Sequence, residues 1–400
     1  MSNSNLENNM MAASIPYGRQ DIDQQDIDAV VAVLRSELLT QGPVVPQFEQ
    51  AVAAYCGAHH AVAVNSATSA LHISCLALGV GAGDIVWTTP ITFVATANCA
   101  IYCGATVDFV DIDPVSYNMS VPSLQEKLEV ARNDGKLPKV VIPVHMTGQS
   151  CDMVAIHALG QEFGFAIIED ASHAVGARYL GEPVGCGRYS DITVFSFHPV
   201  KIITSGEGGM ALTNDARLAS SLRRLRSHGI SGNSAEMDPR PEDELWNYQQ
   251  VQLGFNYRIT DIHAALGLSQ MRRLDEFVSA RHAVARCYDE LLPALQLTIP
   301  WQAPEAYSSY HLYVVRLSLQ QIGKTQKELF RELHARGIMV NLHYIPVYLQ
   351  PFYQKLGFAR GYCPQAECYF KEALSIPIYP GLTRQEQDRT IETLAEVLKS

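Results

Sequence analysis

Residues 61–80 read AVAVNSATSALHISCLALGV, and within this stretch the hydrophobic period changes from that of a strand to that of a helix. Ala61 to Val64 form a short apolar run typical of a buried strand, and small hydroxyl residues then open an apolar helical pattern. The N-terminus of a helix attracts anions because its first N–H groups have no partner within the helix. We predict that Thr68 and Ser69 face a bound phosphate, with an ordinary Ser/Thr helix cap as the alternative.

This strand-to-helix alternation continues along the chain from about residue 60. Further strand-like runs, several of them separated by helical patterns, cover residues 84–89, 105–113, 140–145, 165–170, 191–197 and 209–215. The pattern predicts an α/β fold, a mostly parallel sheet with helices on both faces. No GxGxxG or GxxxxGK[ST] motif occurs, so the usual phosphate grips of dinucleotide-binding and P-loop proteins are missing.

The pattern also predicts a domain organisation. Residues 1–15 are polar, do not resemble a signal peptide and are expected to be disordered. Residues 16–265 form the large domain, and residues 266–400, with an α+β pattern, form a smaller C-terminal domain. Residues 254–277 are expected to form a long connecting helix, and the polar stretch 231–250 a long surface loop or interface excursion.

Composition restricts the class of protein. The 400 residues are 47% hydrophobic and carry a formal net charge of −11, with the basic residues scattered, so nucleic acid and anionic membranes are not expected partners. No apolar stretch reaches the roughly 18 residues that a membrane span needs. Nine cysteines without CxxC or Cys/His spacing favour buried thiols in a reducing, cytoplasmic location over disulfides or a metal site.

Lys201 is a candidate catalytic amine. It lies in VFSFHPVKIITSGEGGM, and its apolar neighbours disfavour the charged form and should lower its pKa. The alternative is a lysine whose stem covers an apolar surface while its amine reaches water. In the catalytic interpretation, Lys201 is neutral and its amine can attack a carbonyl group.

Asp170 is the natural companion of Lys201. It ends the apolar run FAIIED, and a carboxylate at the carboxyl end of a buried parallel strand lies where open α/β sheets bind ligands. Pyridoxal 5'-phosphate requires a lysine for its aldehyde and a carboxylate for its ring nitrogen. The alternative for Asp170 is a helix N-cap. Ser196, five residues before Lys201, could add a hydroxyl to the phosphate site.

Several motifs in order resemble the DegT/DnrJ/EryC/StrS sugar aminotransferases over roughly residues 15–395. The matching strings are LTQGPVVPQFEQAVAAYCG, NSATSAL, TTPITFVATAN, EDASHAVGA, FSFHPVKIITSGEGG, RSHGI, FNYRITDIHAALG and NLHYIPVY. The resemblance implies a fold type I, aspartate aminotransferase-like enzyme with a large mixed-sheet domain and a small α+β domain. It implies pyridoxal 5'-phosphate as cofactor and a homodimer with shared active sites.

The resemblance also assigns roles to individual residues. Lys201 would bond to the cofactor aldehyde as a Schiff base, Asp170 would pair with the ring nitrogen, and Phe93 would stack on the ring. The remaining assigned residues are Thr68, Ser196 and the Ser69 amide for the phosphate, His173 near the ring oxygen, and Asn256 for the phosphate in the neighbouring subunit. The sugar nucleotide would meet Thr40, Gln41, His343, Tyr344 and the partner-supplied Arg258.

Within the family the motifs look most like the transaminase of pseudaminic acid biosynthesis. Such an enzyme moves the amino group of L-glutamate to carbon 4 of a UDP-linked 4-keto-6-deoxy-N-acetyl hexose. The alternatives are GDP-linked or dTDP-linked 4-keto sugars and, in another class, a noncatalytic sugar-nucleotide-binding protein. The dehydratases of the same fold have histidine in place of the lysine, so Lys201 argues against them.

Overall fold

The computed structural model describes residues 14–239, 241, 243–244, 246–295 and 297–399. The strands are β1 Ile15–Pro16, β2 His60–Val64, β3 Ile85–Thr88, β4 Thr106–Phe109, β5 Val140–Ile142, β6 Ala166–Asp170, β7 Arg178–Tyr179, β8 Glu182–Pro183, β9 Ile192–Ser196, β10 Gly209–Thr213, β11 Ile230–Ser231, β12 Gln249–Gln250, β13 Leu297–Thr298, β14 Ala306–Tyr307, β15 Tyr313–Leu317, β16 Ile338–Met339 and β17 Ala373–Ile376. The helices are α1 Gln24–Leu34, α2 Val44–Cys56, α3 Ala67–Ala77, α4 Ala95–Tyr102, α5 Val121–Asp134, α6 Met153–Phe163, α7 Ala216–Arg226, α8 Asp261–Met271, α9 Leu274–Leu291, α10 Leu319–Ile322, α11 Gln326–Ala335, α12 Pro351–Gln354, α13 Pro364–Glu372 and α14 Arg384–Lys399.

The central element is a seven-stranded sheet in the order β2-β10-β9-β6-β5-β3-β4. β10 runs antiparallel to both of its neighbours, β2 and β9, whereas the pairs from β9 to β4 are parallel. The predicted α/β class is confirmed, and the antiparallel β10 makes this large sheet mixed. The carboxyl ends of β6 and β9 lie at one edge of the sheet, because these strands are adjacent and parallel.

Both faces of this sheet are covered, as the continuous apolar strands predict. Successive residues of a strand point to opposite faces. In β2, Val62 and Val64 join a core with α3 and α4, whereas Ala61 and Ala63 join a second core with α2 and α8. The strand is therefore fixed in register from both sides, which fixes the position at which α3 begins.

A separate core forms in the C-terminal part. The antiparallel sheet β13-β15-β17 packs with α11 and α14, and the core includes Ile15 of β1, which pairs with Ile338 of β16. The predicted boundary at 265/266 falls within α8. Helix α9 joins the two cores, since Phe277 lies in the large-sheet core and Tyr288 in the C-terminal core.

Three predicted segments differ in detail. The expected helix over 254–277 is instead two helices. Helix α8 begins only after Thr260, whose side chain caps it, and the helix is interrupted after Met271 before α9 begins at Leu274. Residues 231–250 include the antiparallel pair β11–β12, with Trp246 and Tyr248 exposed. Of the segment expected to be disordered, residues 1–13 lie outside the described residues, and Ile15 is buried.

Among the described residues, no helix combines the length and the apolar character that crossing a bilayer requires.

Candidate active site

A cavity of about 570 Å³ opens at the carboxyl ends of the central strands. Asp170 ends β6, Ser196 ends β9, and α3 begins just after β2. The walls of the cavity include Lys201, Asp170, Thr68, Phe93, His173, Ser196, His343 and Tyr344. The structure therefore brings together eight of the residues that the sequence singled out, from five separate segments of the chain.

Lys201 lies in the loop that follows β9. The loop closes on the strand end, because Ser205 N–H donates to Phe197 O at 3.0 Å, and the following residues Ile202 and Ile203 are buried in the core. Desolvation lowers the pKa of the Lys201 amine to about 8, although the negative charge of Asp170 acts in the opposite direction. The apolar neighbours in the sequence predict this lowering of the pKa. With a pKa of about 8, part of the Lys201 amine is neutral near neutral pH.

Asp170 is held from two sides. Thr96 Oγ1 in α4 donates to Asp170 Oδ2 at 2.6 Å, and the Ser172 backbone N–H donates to Oδ1 at 3.1 Å. The Ser172 contact is a local turn, and no helix begins at this position, so the N-cap alternative does not apply. The carboxylate is 4% exposed and borders the cavity.

The beginning of α3 forms the end of the cavity suited to an anion. Ser66 is the N-cap, and its hydroxyl accepts from Ser69 N–H at 3.1 Å. Ser69 Oγ donates to Asn65 Oδ1 at 2.7 Å, so Ser69 faces its own turn and is not among the residues lining the cavity. Ser66, Ala67 and Thr68 line it instead. The sequence identified the correct helix start, and of the two residues predicted to face a phosphate, Thr68 lines the cavity and Ser69 does not.

Gly209 explains the glycine cluster after Lys201. A side chain there would place Cβ 2.4 Å from Ala67 N and from Ser66 C, so only glycine lets β10 pass this closely to the start of α3. Both residues beside this contact line the cavity. The close approach therefore sets the position of the anion-binding end.

Aromatic and imidazole rings form the remaining wall. The Phe93 side chain is 59% exposed, and its ring centroid lies 6.3 Å from that of Tyr344. His173 Nε2 and Tyr344 Oη are 3.2 Å apart. The His173 and His311 rings lie 4.4 Å apart. His311 was not identified from the sequence, because a histidine in the strand-like run HLYVVRL has no local signal for a ligand.

These histidines are neutral at physiological pH. Burial, together with the positive charge of Lys201, holds the pKa of His173 and His311 well below the usual range and lowers that of His343 to about 3. Nδ1 of His173 and Nδ1 of His311 are buried and make no hydrogen bond within the described residues. Neutral rings with spare nitrogens can donate to or accept from a polar ligand in the cavity.

Besides Ser69, four predicted residues lie outside this cavity. Gln41 and Arg258 line a separate pocket of about 240 Å³. Thr40 is exposed and pairs with Thr260, and Asn256 is exposed and pairs with Ser227. Thr40 and Gln41 therefore do not accompany His343 and Tyr344 within one chain, because the segment before α2 packs against the start of α8 instead.

The residues of the cavity fit pyridoxal 5'-phosphate. The first N–H groups of α3, at Ala67 and Thr68, have no partner within the helix and can hold a phosphate. Asp170 supplies a buried carboxylate for a pyridinium nitrogen, and Lys201 supplies an amine for the aldehyde. When bound, the cofactor provides the electron sink that allows a carbon–hydrogen bond of an amino acid to ionise.

The model of the DegT/DnrJ/EryC1/StrS aminotransferase family matches residues 20–395. The chain belongs to this family. It is therefore a pyridoxal-phosphate-dependent aminotransferase, and the alternative of a noncatalytic binding protein is wrong, since Lys201 and Asp170 are both present in one cavity.

Three curated relatives are similar over almost the whole chain. A spore coat polysaccharide biosynthesis protein of Bacillus subtilis is 38% identical over 96% of this chain and 97% of its own. The UDP-4-amino-4,6-dideoxy-N-acetyl-beta-L-altrosamine transaminase of Campylobacter jejuni is 37% identical over 96% of this chain and 98% of its own. The GDP-perosamine synthase of Caulobacter vibrioides is 37% identical over 94% and 96%.

Solved structures agree with the fold. PseC of Helicobacter pylori, an aminotransferase involved in the biosynthesis of pseudoaminic acid, is 29% identical with a TM-score of 0.87, covering 96% of this chain and 99% of its own. The PLP form of a sugar aminotransferase of Streptococcus pneumoniae is 29% identical with a TM-score of 0.85 and the same coverage. The aminotransferase fold expected from the motifs is confirmed.

Proposed function

We propose that this aminotransferase moves the amino group of L-glutamate to carbon 4 of a UDP-linked 4-keto-6-deoxy-N-acetyl hexose, as in pseudaminic acid biosynthesis. The products would be 2-oxoglutarate and the 4-amino sugar nucleotide. The observation that carries this proposal is the meeting of Lys201, Asp170 and the start of α3 in one cavity. The relative from Campylobacter jejuni and the structure of PseC support the choice of sugar.

Lys201 would carry the proton in both halves of the reaction. In its neutral form the amine takes a proton from the α-carbon of glutamate, and as ammonium it returns the proton at the neighbouring reacting position. With the keto sugar the same transfers run backwards and deliver a proton to sugar carbon 4. One residue serves both halves, so the initial-rate kinetics should be ping-pong.

The cavity of a single chain is poor in positive charge for such substrates. Glutamate and a nucleotide sugar are both anionic, yet Lys201 is the only lysine or arginine among the described residues that line the cavity. Arginine suits carboxylate and phosphate oxygens because its guanidinium donates in a planar fork. A further cationic group must therefore reach the cavity from elsewhere.

A second copy of the chain would supply this group. We infer a homodimer in which Arg258 and Asn256 reach the partner's cavity. Gln41 lines the same small pocket as Arg258, and Thr40 pairs with Thr260 nearby. The segments 40–41 and 256–258 would therefore reach the partner's cavity together. Thr40 and Gln41 were first expected to contact the sugar nucleotide together with His343 and Tyr344 of the same chain. In this dimer they would instead contact the sugar nucleotide bound by the neighbouring subunit.

The second candidate is a GDP-linked 4-keto sugar. The GDP-perosamine synthase of Caulobacter vibrioides is as similar in identity as the Campylobacter enzyme. The roles proposed for Lys201 and Asp170 would be the same with either nucleotide.

The test is to incubate the purified holoenzyme with L-glutamate and matched UDP-linked, GDP-linked and dTDP-linked 4-keto-6-deoxy sugars, with products identified by mass spectrometry. The proposal predicts amination of the UDP-linked N-acetyl hexose with the highest kcat/KM. Preference for the GDP-linked sugar would establish the second candidate instead. A Lys201→Ala variant with normal turnover would contradict the assigned proton transfer.

We also infer a cytoplasmic location. The nine cysteines are all free thiols, six of them buried and three partly exposed, which fits a reducing compartment. Export of the folded enzyme to the periplasm or medium in its native host would contradict this.

A further inference from the structure

Arg281 on α9 is a buried cation that the reaction described above does not use. Its side chain is 0% exposed, and burial lowers the pKa of the guanidinium without opposition from any carboxylate of the described residues. Burying an arginine without a carboxylate is costly, because other polar contacts must offset the desolvation of the charge. The contacts of Arg281 therefore show which part of the chain it serves.

These contacts are three backbone carbonyls. Arg281 Nη1 donates to Tyr310 O at 3.1 Å, to His311 O at 3.2 Å and to Ile378 O at 3.1 Å. Tyr310 has a φ of +48°, a left-handed conformation that costs energy in a residue with a side chain. Arg281 thus holds strained backbone directly before His311.

The same segment is also fixed to the chain around His173. Ser309 Oγ donates to His173 O at 2.6 Å, and Ser309 N–H donates to Gly148 O at 3.1 Å. Gly148 leaves no room for adjustment here, since a Cβ at that position would collide with Ser309 Oγ. His311 is therefore held both by α9 and by the chain that carries His173.

His311 lies at one end of a row of four polar rings that line the cavity. Its ring centroid lies 4.4 Å from that of His173, which lies 6.2 Å from that of Tyr344, and the Tyr344 and His343 centroids are 4.9 Å apart. Burial lowers the pKa of the three histidines and raises that of the Tyr344 hydroxyl, so all four rings are uncharged. The row thus leads from the two residues expected to meet the sugar nucleotide, His343 and Tyr344, to His311.

His311 has hydrogen-bonding capacity that the chain leaves unused. The residue is 4% exposed, and its buried Nδ1 has no partner within the described residues. Buried polar atoms normally have a partner, so an unpartnered imidazole at a cavity wall points to a ligand. The groups of the cofactor are already assigned to other parts of the site, namely the start of α3, Asp170, Lys201, Phe93 and His173.

We propose that His311 binds the uncharged sugar part of the keto-sugar substrate through a hydrogen bond to one of its oxygens, and that Arg281 is the residue that positions His311. This inference rests on the proposed function and adds a residue for its second substrate. Glutamate carries carboxylates that call for positive charge, which neutral rings do not provide. The hexose presents hydroxyl, carbonyl and N-acetyl oxygens without charge, and these suit a row of neutral donors and acceptors.

Stopped-flow absorbance of the cofactor in the holoenzyme separates the two half-reactions. The pyridoxal form is mixed with L-glutamate, and the pyridoxamine form with the UDP-linked 4-keto-6-deoxy-N-acetyl hexose. His311→Phe keeps a ring and removes its nitrogens. We expect its apparent Kd for the keto sugar to rise at least about fivefold while the glutamate half-reaction stays within about twofold. The control His59→Phe, at an exposed histidine, should match the unmodified enzyme in both.

Arg281→Met tests the positioning. It should weaken binding of the keto sugar and leave the glutamate half-reaction intact, and combining it with His311→Phe should add no further loss, because both act through one contact. Arg331→Met, at an exposed arginine, is the control. Circular dichroism monitors folding, and His311→Phe decides the proposal if Arg281→Met does not fold.

Unchanged affinity for the keto sugar in His311→Phe, or an equal loss in both half-reactions, would overturn the proposal. A folded Arg281→Met variant with normal affinity would overturn the positioning role. Failure of the proposed function gives a different result, since the unmodified enzyme would then leave the UDP-linked sugar unaminated. The same variants would in that case be compared with the GDP-linked or dTDP-linked sugar that the enzyme does aminate, because His311 is assigned to the sugar and not to the nucleotide.

Discussion

At the scale of single residues, Lys201 and Asp170 show opposing electrostatic effects in one cavity. Desolvation favours the neutral amine, the nearby carboxylate favours the ammonium, and desolvation is the larger effect. Thr96 and the Ser172 N–H hold the carboxylate in place beside a lysine of low pKa. An amine ready to react and a fixed negative charge are the two groups that the cofactor needs.

The low pKa of Lys201 predicts how cofactor uptake depends on pH. Only the neutral amine attacks an aldehyde, so the rate at which cofactor-free enzyme combines with pyridoxal 5'-phosphate should rise with pH and level off above about 8, the pKa of Lys201. Stopped-flow absorbance measures this rate. The exposed-site control Lys355→Arg should show the same profile. A midpoint near 10.5, the ordinary lysine value, would contradict the assignment.

The hydroxyl of Thr96 donates to Asp170 and also hydrogen-bonds Thr92 Oγ1 at 2.7 Å, and we expect its effect on catalysis to come through Asp170. In Thr96→Val the carboxylate loses a 2.6 Å hydrogen bond, and a hydrogen bond to a charged group contributes about 1.5–3 kcal/mol. We expect kcat/KM to fall by roughly tenfold to a hundredfold, with the near-ultraviolet and visible cofactor spectrum shifted in its pH dependence. Thr96→Ser keeps the hydroxyl and should restore both measurements. Unchanged kinetics in Thr96→Val would show that Asp170 does not depend on this donor.

At the scale of elements, the sheet and the start of α3 are fitted to each other through Gly209. The Ser66 cap fixes the first turn of the helix, and the backbone of β10 passes directly against Ser66 and Ala67. The anion-binding end therefore depends on a contact between a strand and a helix that are distant in the sequence.

Gly209→Ala should disturb this contact. The new Cβ would lie 2.4 Å from backbone atoms of Ser66 and Ala67, so the strand or the helix start must move. We expect affinity for pyridoxal 5'-phosphate to fall by at least about tenfold, an order of magnitude typical of core overpacking of about 1–3 kcal/mol. Equilibrium dialysis measures the affinity, and circular dichroism monitors folding.

Gly232→Ala is the matched control, since, apart from its two chain neighbours, none of the described residues has an atom within 4 Å of a Cβ at that position. It should bind the cofactor as the unmodified enzyme does. Equal affinities for the two variants would show that the close approach of β10 has no role in forming the site.

At the scale of the whole molecule, the cavity of one chain contains Lys201 and Asp170, and no arginine is among the described residues that line it. The separate pocket containing Gln41 and Arg258 provides an arginine elsewhere on the same chain. A two-fold dimer would bring each pocket to the other chain's cavity, because an isologous interface repeats every contact twice.

Mixed dimers test this arrangement. Lys201→Ala and Arg258→Ala should each be nearly inactive alone, because each lacks one part of every site. After unfolding and refolding together in equal amounts, half of the dimers are mixed and each has one complete site, so activity should recover to about a quarter of that of the unmodified enzyme. In the control mixture, Lys201→Ala is refolded with Asp28→Ala, an exposed substitution on α1, in place of Arg258→Ala. No recovery, with dimers present by light scattering, would place Arg258 in its own chain's site.

Much of the fold was predictable because its signals are local. The seven strands of the central sheet follow apolar runs, and the small hydroxyl residues after β2 mark the start of α3. The prediction of one long helix over 254–277 was wrong. The helical spacing of apolar residues resumes after Arg272 and Arg273, but the chain turns at these two residues. Arg273 pairs with Asp21 and Asp26 near the N-terminus, and no window of sequence contains those partners.

The sequence by itself determined the α/β alternation, the family, and the chemistry of Lys201 and Asp170, because strand period, helix start and residue type are all properties of short segments. The tertiary structure decided that Ser66 and Ala67 rather than Ser69 border the cavity, that His311 joins His173, and that Gln41 lies with Arg258. Those outcomes depend on which distant segments the sheet brings into contact. Burial and neighbouring charge, which set the pKa of Lys201, exist only once these contacts have formed.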